Sequence, residues 1–536
     1  MYPHVRAILR LSMSVATQEP VQVKPAIASR RWLLPLAIIF LVALCIGGII
    51  LAFHWPFTSQ NVTKSIQESW PGEVSVQGFR SRYFPHPGCV MQNVALTRGS
   101  DNSGPPLVAI QSVTVQANYR DLILRPGYIS RIVLEGLKIS VPAEHSTSQQ
   151  TSRSSKSSTR IGEVFTKDAT LEVATKDDGP LKFEIHQLSL KSVTDSSPMS
   201  YDLAMRNAKP PGEIRSHGKL GPWDRQHMND IPLSGSYTFN DVDLGVFQGI
   251  GGILAATGDF HGALGRIETQ GTTDIPKFEV TRSHHPVAVK AKFNATVDGM
   301  SGDTIVHSVD GEFLKTPVHV EGSVAGKAGQ PGKTTSLGLN VRNGRIEDVL
   351  WLFVTESKAP LEGPTNFHAH VVWPSRHQPF LMRVVLQGDF EIEHAQWTKP
   401  DRQMSVNMLS KKASGKKKDP ETPNVTADIK GSVLLSNEIA KFQAVSFKVP
   451  GAEAILHGTY NLADTKIDFH GDLKTEASLS DDSSGVKAVL LKPLDPLFKR
   501  KHAGAVVPVE MTGTYRDPHF GVSLQAKNSR GERPGR

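Results

Sequence analysis

Few residues of this 536-residue chain stand at spacings that suggest catalysis or ligand binding, and each points to a different chemistry. His368 and His370 lie two apart, so on a strand both imidazoles would face one side, as a metal pair requires. No carboxylate or thiol stands at a convincing spacing to complete a ligand set, and they read as solvent-facing strand histidines. GKAGQPGKT (326–334) has the glycines and lysine of a phosphate loop. However, five residues separate Gly326 from Gly332, Pro331 interrupts the run, and TTSLGLNV continues it as a strand rather than a helix. Gly249-Ile250-Gly251-Gly252 lacks the third glycine of a dinucleotide turn, and His284-His285 before Pro286 reads as a turn. G-x-S-x-G, H-E-x-x-H and C-x-x-C do not occur. Cys89 has no base motif beside it and reads as a small buried apolar residue rather than a nucleophile. The sequence therefore predicts a non-enzyme without cofactor or metal.

The elements that would carry any site are set by hydropathy. Trp32 to Phe53 is an uncharged run of 22 residues, long enough as a helix (~33 Å) to cross a bilayer. Trp32 and Trp55 stand at its ends, where amphipathic rings favour the membrane interface. The bulky residues that follow it argue against a cleaved signal peptide. Arg30 and Arg31 cap a basic N-terminus, and no Lys or Arg follows the span before Lys64, which predicts a cytoplasmic tail over 1–31 and the bulk of the chain outside. The chain has two cysteines, Cys45 in the span and Cys89 beyond it, so an intramolecular disulfide is not expected.

Beyond the span, Val62, Ile66 and Trp70 mark one face of a short helix ended by Pro71-Gly72. The period then becomes two. Val287, Val289, Ala291, Phe293, Ala295 and Val297 alternate with polar residues, which predicts a strand with one apolar face. Similar stretches occur at 108–115, 129–141, 181–193, 304–324, 380–392, 442–449, 455–473 (with Ile467 and Phe469) and 506–515. Turns are expected at Asp298-Gly299, Asp310-Gly311 and Pro450-Gly451. The fold class is thus mainly β: an elongated antiparallel assembly of twenty or more strands, forming an open groove or, alternatively, β-sandwiches. NDVDLGVF (240–247) and NGRIEDVLWLF (343–353), with the segments after each, suggest a drifting duplication within a central region, 161–400. The Ser/Thr-rich stretch 145–160 and the Lys-rich stretch 401–423 read as linkers. They separate an N-terminal region (54–144) and a C-terminal one (424–526) from the centre, and 527–536 reads as a basic tail. The net charge of +8 is carried by these tails and linkers, so the folded body is slightly acidic and nucleic-acid binding is not expected. Asn61, Asn294 and Asn424 head N-x-[ST] sequons, relevant only in a host that glycosylates.

Three stretches, VSVQGFRSRYFPHPGCVMQNVAL (74–96), LVAIQSVTVQANYRDLILRPGYISRIVLEGLKISVP (107–142) and LLKPLDPLFKRKHAGAVVPVEMTGTYRDPHFGVSL (490–524), resemble the AsmA-like family of bacterial envelope proteins. The resemblance implies a long sheet curled into an open half-pipe, anchored in the inner membrane with its bulk in the periplasm. It also implies a role in phospholipid movement or outer-membrane maintenance, with phospholipid and envelope proteins as partners. On that basis Val287, Val289, Phe293, Val297, Ile467 and Phe469 are expected to line a lipid groove, and Arg30, Arg31, Trp32 and Trp55 to anchor at the membrane interface.

Overall fold

The computed structural model describes residues 55–70, 72–97, 106–141, 159–174, 179–194, 196–224, 227–326, 332–375, 378–414, 424–476 and 506–522. The expected span at 32–53, with Arg30, Arg31 and Trp32, lies outside them, as do most of 145–160 and the tail 527–536. Among the described residues no helix is long and apolar enough to cross a membrane. The chain divides into two compact units, residues 1–61 and 62–536.

Twenty-six strands and a few short helices make up the described residues. The first helix, α1 (Ser59–Ser69), matches the expected apolar spacing, and Trp70 just past its end donates its indole N–H to the Thr97 carbonyl at 2.8 Å. Then come β1 (Val74–Arg82), β2 (Gly88–Leu96), β3 (Val108–Gln116), α2 (Tyr119–Leu124), β4 (Tyr128–Glu135) and β5 (Lys138–Val141). The expected strand 129–141 is thus two strands, broken where Gly136 takes a left-handed φ of 62°. Next are β6 (Arg160–Val173), β7 (Leu181–Val193), β8 (Met199–Ala208) and β9 (Pro211–Leu220).

β6 pairs with β4 and β5 in parallel, whereas the other pairings are antiparallel, so the sheet is mixed rather than wholly antiparallel as expected. A parallel neighbour needs a long crossover. The Ser/Thr-rich stretch between Val141 and Arg160 supplies that length, a reason for its presence that composition did not suggest.

The central region carries one series of elements twice. First come β10 (Pro232–Asp243), a 3-10 turn (Leu244–Phe247), the two-residue β11 (Ile250–Gly251), β12 (Ile253–Ala263) and β13 (Arg266–Val280). Three strands intervene: β14 (Val287–Val297), β15 (Thr304–Phe313) and β16 (Thr316–Gly326). The series then recurs as β17 (Lys333–Arg345), α3 (Ile346–Trp351), the two-residue β18 (Leu361–Glu362), β19 (Pro364–Trp373), α4 (Phe380–Arg383) and β20 (Val385–Trp397). In each copy the first strand bulges near its end around a left-handed residue, Asp241 (φ 54°) or Asn343 (φ 53°), and the two-residue strand pairs with the last strand of the copy. Asp241 and Asn343 are therefore the equivalent positions.

The remainder is α5 (Pro400–Ala413), β21 (Ala427–Ser436), β22 (Ile439–Val449), β23 (Ala452–Asn461), β24 (Lys466–Thr475), β25 (Val506–Thr514) and β26 (Pro518–Val522). Residues 400–413 are thus a helix, not the solvated linker expected. Pro400 begins it, and Lys411 and Lys412 lie in its last turn, where cations complement the helix dipole. Val406, Leu409 and Ala413 pack against Phe447, Leu473 and their neighbours. Gln403 and Ser410 are buried beside Ala413 on the same helix, so no apolar stripe marked it in the sequence.

Among the described residues the strands form one large sheet in which successive strands pair along the chain, apart from β4 and β5, which each pair with β3 and β6, and the small β11 and β18 insertions. Two further details differ from expectation. Asp310-Gly311 lies inside β15, and the chain turns instead at Leu314-Lys315, with Leu314 at φ 53°. A leucine in that region is strained, and a buried network holds the turn. The Asp348 carboxylate accepts from the Lys315 N–H (3.0 Å) and the Thr316 hydroxyl (2.8 Å), while Thr316 Oγ1 accepts from the Arg345 N–H (3.0 Å). The start of the expected strand 380–392 is the helical turn α4.

Replacing Asp348 with Ala leaves a buried hydroxyl and an amide without their acceptor, worth about 1–3 kcal/mol. Amide exchange at Lys315 should accelerate by roughly tenfold to a hundredfold in Asp348→Ala and much less in Asp348→Asn. Unchanged exchange at Lys315 would show that the turn does not depend on this carboxylate.

Candidate functional site

Because side chains alternate across each strand, the pairing registers decide which residues share a face. Phe293 pairs with Gly271 on one side and Val309 on the other. Followed outward, this row runs through Gly258, Tyr237, Ser216, Leu203, Leu188, Thr166, Leu134, Val113 and Met91 to Phe79 on β1. In the other direction it passes Val320, Leu339, Ala369, Gly388, Val433, Phe442, Gly458, Phe469 and Met511 to Phe520 on β26. The row crosses every strand except β5, β11 and β18 without a charged residue. At ~4.8 Å per strand its 22 steps make about 105 Å of contour.

One residue further along each strand the composition inverts. Arg215, Thr238, Thr257, Thr272, Lys292, Asp310, His319, Asn340, His368 and Asp389 pair in succession. This second row belongs to the opposite, polar face. His368 and His370 sit there exposed, as the sequence suggested, and among the described residues no group of metal-ligating side chains converges.

The apolar face is only half-buried. Phe293, Val309, Val320, Leu339, Phe442, Phe469 and Phe520 all keep part of their surface accessible, and the fully enclosed hydrophobic residues are mostly small, such as Ala369, Ala395 and Ala427. A second packed layer would have enclosed the large side chains first. Aromatic rings instead lie over glycines of neighbouring strands. A Cβ on Gly271 would stand 2.7 Å from the Phe293 ring, one on Gly235 2.9 Å from Phe260, and one on Gly458 2.8 Å from Phe469. Phe442 and Phe469 flank Gly458 with ring centroids 5.4 Å apart.

Of the residues expected to line a groove, Val289, Phe293, Val297, Ile467 and Phe469 are on this face and half-buried, and Val287 is on it but enclosed. Trp55, in the smaller unit, is 6% exposed, its ring edge-on to that of Phe57.

Sequence reasoning did not find the contacts that join distant strand ends. Trp373, at the end of β19, meets Phe247 and Phe380 edge-on at centroid distances of 5.6 and 4.8 Å, and the Arg383 guanidinium lies 4.9 Å from its ring centre. The Phe380 N–H donates to the Gln248 carbonyl at 3.0 Å. β10 and β19 are seven ladder steps apart, about 34 Å in a flat sheet, so the sheet coils between them. Arg282, beside β14, likewise donates to the Ala463 carbonyl beyond β23. On the same end as β20, α3 and α5 cover one margin of the apolar face, with Ile346 against Ile392 and Ala413 against Ala427.

Burial tunes the few ionisable groups on this face. The phenols of Tyr201 and Tyr237 are pushed up, chiefly by loss of water and partly offset by hydrogen bonds to Ser216 and Thr269. Cys89 is fully enclosed, and burial raises its thiol from 9.0 to about 11. This is the wrong direction for a nucleophile and agrees with its reading as an apolar core residue.

That shift fixes a pH window. The folded state holds the thiol proton above the pH at which the unfolded chain releases it, so its contribution to stability is present below pH 9 and lost as pH rises toward 11. Alkylation of Cys89 followed by peptide mass spectrometry should be negligible at pH 8 and rise steeply only above pH 10. Rapid labelling at pH 8 would contradict the enclosure.

Compared with known proteins, the chain matches no family model, no curated protein and no solved structure.

Proposed function

We propose that this chain is a membrane-anchored protein that takes phospholipid by its acyl chains onto the apolar face of the sheet and lets it pass along that face. In this reading the anchor is the apolar run at 32–53 in a bacterial inner membrane. The bulk is periplasmic, and the role is outer-membrane lipid homeostasis or assembly, as the AsmA-like resemblance implies. The observation that carries the reading is the uncharged row from Phe79 to Phe520, half-exposed over most of its length although Met91, Val113, Thr166, Ala369 and Gly388 are enclosed. A continuous apolar surface of this size is costly to leave against water and marks a binding surface in a folded protein. Each methylene withdrawn from water contributes ~0.8 kcal/mol, so the two tails of a phospholipid suit a long apolar strip. The headgroup would stay at the uncovered margin, because the face offers it no charged partner. The reading requires no bond making or breaking.

The test compares the two faces of β14. Phe293→Asp places a carboxylate on the apolar row, and Lys292→Asp places one on the polar face beside it. Full-length protein, purified and extracted, should carry roughly tenfold less phospholipid in Phe293→Asp and in Phe469→Asp than in wild type. Lys292→Asp should match wild type, and all three variants should keep the β-rich circular dichroism spectrum. Wild-type protein that is free of lipid and moves no labelled phospholipid between vesicles would sink the proposal in favour of a scaffold acting through protein contacts.

A further inference from the structure

Exposed hydrophobic side chains concentrate at one tip of the sheet. Tyr83 and Phe84, in the β1–β2 loop, are 59% and 84% exposed, and Ile123 and Leu124, at the end of α2, are 69% and 66% exposed. The two segments form one surface: the Tyr119 hydroxyl donates to the Tyr83 carbonyl, and the Ala117 N–H donates to the Pro87 carbonyl at 2.8 Å. Behind them Pro87, Cys89 and Ala117 are fully enclosed, so the tip stands on a packed base. Around it Arg82, Arg120 and Arg125 are exposed, and Asp121 is the one acidic residue within the two segments, which leaves the tip net positive.

We propose that this tip inserts into the headgroup layer of an anionic bilayer. Its chemistry fits that partner on two counts. Aromatic and aliphatic side chains protrude singly from a loop and a short helix, as interfacial insertion requires, rather than forming a flat patch that a protein could cover. The arginines beside them match the negative surface potential of acidic lipids. The inference rests on the membrane-anchored part of the reading above and not on lipid passage. It also adds to that reading. Phe79, the first residue of the apolar row, is four residues before Tyr83, about 13 Å at strand rise. Insertion of the tip therefore holds the start of the row at the membrane surface.

The experiment uses the full chain in vesicles of phosphatidylcholine, with or without phosphatidylglycerol. In a Cys45→Ala background, Phe84→Cys or, as a control on β22, Ile439→Cys is labelled with an environment-sensitive fluorophore, native Cys89 being enclosed. Nitroxide groups on the lipid tails act as quenchers, and flotation reports anchoring separately. In phosphatidylglycerol vesicles the label at 84 should be quenched several-fold more than the label at 439. The difference should fall several-fold in the triple variant Arg82→Glu, Arg120→Glu, Arg125→Glu and at high salt. Protein that floats while the two labels respond alike overturns the inference and leaves anchoring intact. Protein that does not float overturns both. A response at 84 that depends on protein concentration without lipid identifies a second copy as the partner and also overturns it.

Discussion

The assignment of apolar side chains to one face, kept from strand to strand across the ladders, is the constraint on which the rest of the molecule depends. A shift of one residue in any ladder would turn that strand's apolar set to the polar side and break the row. The sheet meets this condition with bulges rather than with regular sequence. Phe239 and Val242 are three apart on β10, yet they oppose Ala256 and Leu254, which are two apart on β12. Ile275 and Phe278, Val306 and Val309, Ile392 and Ala395, and Phe442 and Val445 repeat the device. Each extra residue is absorbed where the strand bends, and the next apolar side chain returns to the same face. Asp241, Asn343 and His394 take the left-handed conformation at such points, which their short polar side chains tolerate better than branched ones would.

A single sheet that keeps its faces distinct has no second layer to shield the apolar one. The sequence moderates the cost in two ways. Rings lie over glycines, so an aromatic side chain loses surface against backbone instead of standing in water, as Phe293 does over Gly271. At one margin α3 and α5 supply local cores around Ile392 and Ala427. Away from that margin much of the surface stays accessible, and where it is partly covered burial pushes the phenols of Tyr201 and Tyr237 up. Such a face disfavours charge and does not exclude a ligand, which is the combination that an acyl chain needs.

The sequence made some of this legible and hid the rest for identifiable reasons. β14 could be read to the residue, because Val287 to Val297 contains no bulge within the strand and alternates strictly. NDVDLGVF and NGRIEDVLWLF suggested a repeated series, but only the backbone places Asp241 and Asn343 at corresponding bulges. Where apolar residues fall three apart, as at Ile392 and Ala395, period two fails in the sequence while the face remains continuous. The turn at Leu314 could not be anticipated, since a leucine there depends on Asp348, more than thirty residues away. The helix at 400–413 was hidden because its buried residues include the polar Gln403 and Ser410, which leave no apolar period to read. The parallel pairing of β4 with β6 left no local trace, because parallel and antiparallel ladders use the same residues. The clasp of Phe247, Trp373 and Phe380 joins segments that approach only once the sheet coils.

The duplication also bears on what a row of this kind can do. Repeating a strand–turn–strand series would lengthen the apolar face without altering its character, so equivalent positions of the two series, such as Phe239 and Val341, would offer a hydrocarbon chain much the same surroundings. Where the surroundings are uniform, no position traps the ligand and no step favours one direction. Under the proposed function, a face of that design would bring lipid at its two ends toward equilibrium, and net movement would follow whatever difference in lipid chemical potential the ends experience. Under the proposed function, direction is therefore a property of the ends and of what they touch. The described ends are unlike: β1 leads into a tip with exposed Phe84 and three arginines, whereas β26 is a five-residue edge strand after the charged turn of Arg516 and Asp517. Unlike ends would let a passive sheet meet unlike surroundings, and under the proposed function only a difference in lipid chemical potential between those surroundings gives movement along it a direction.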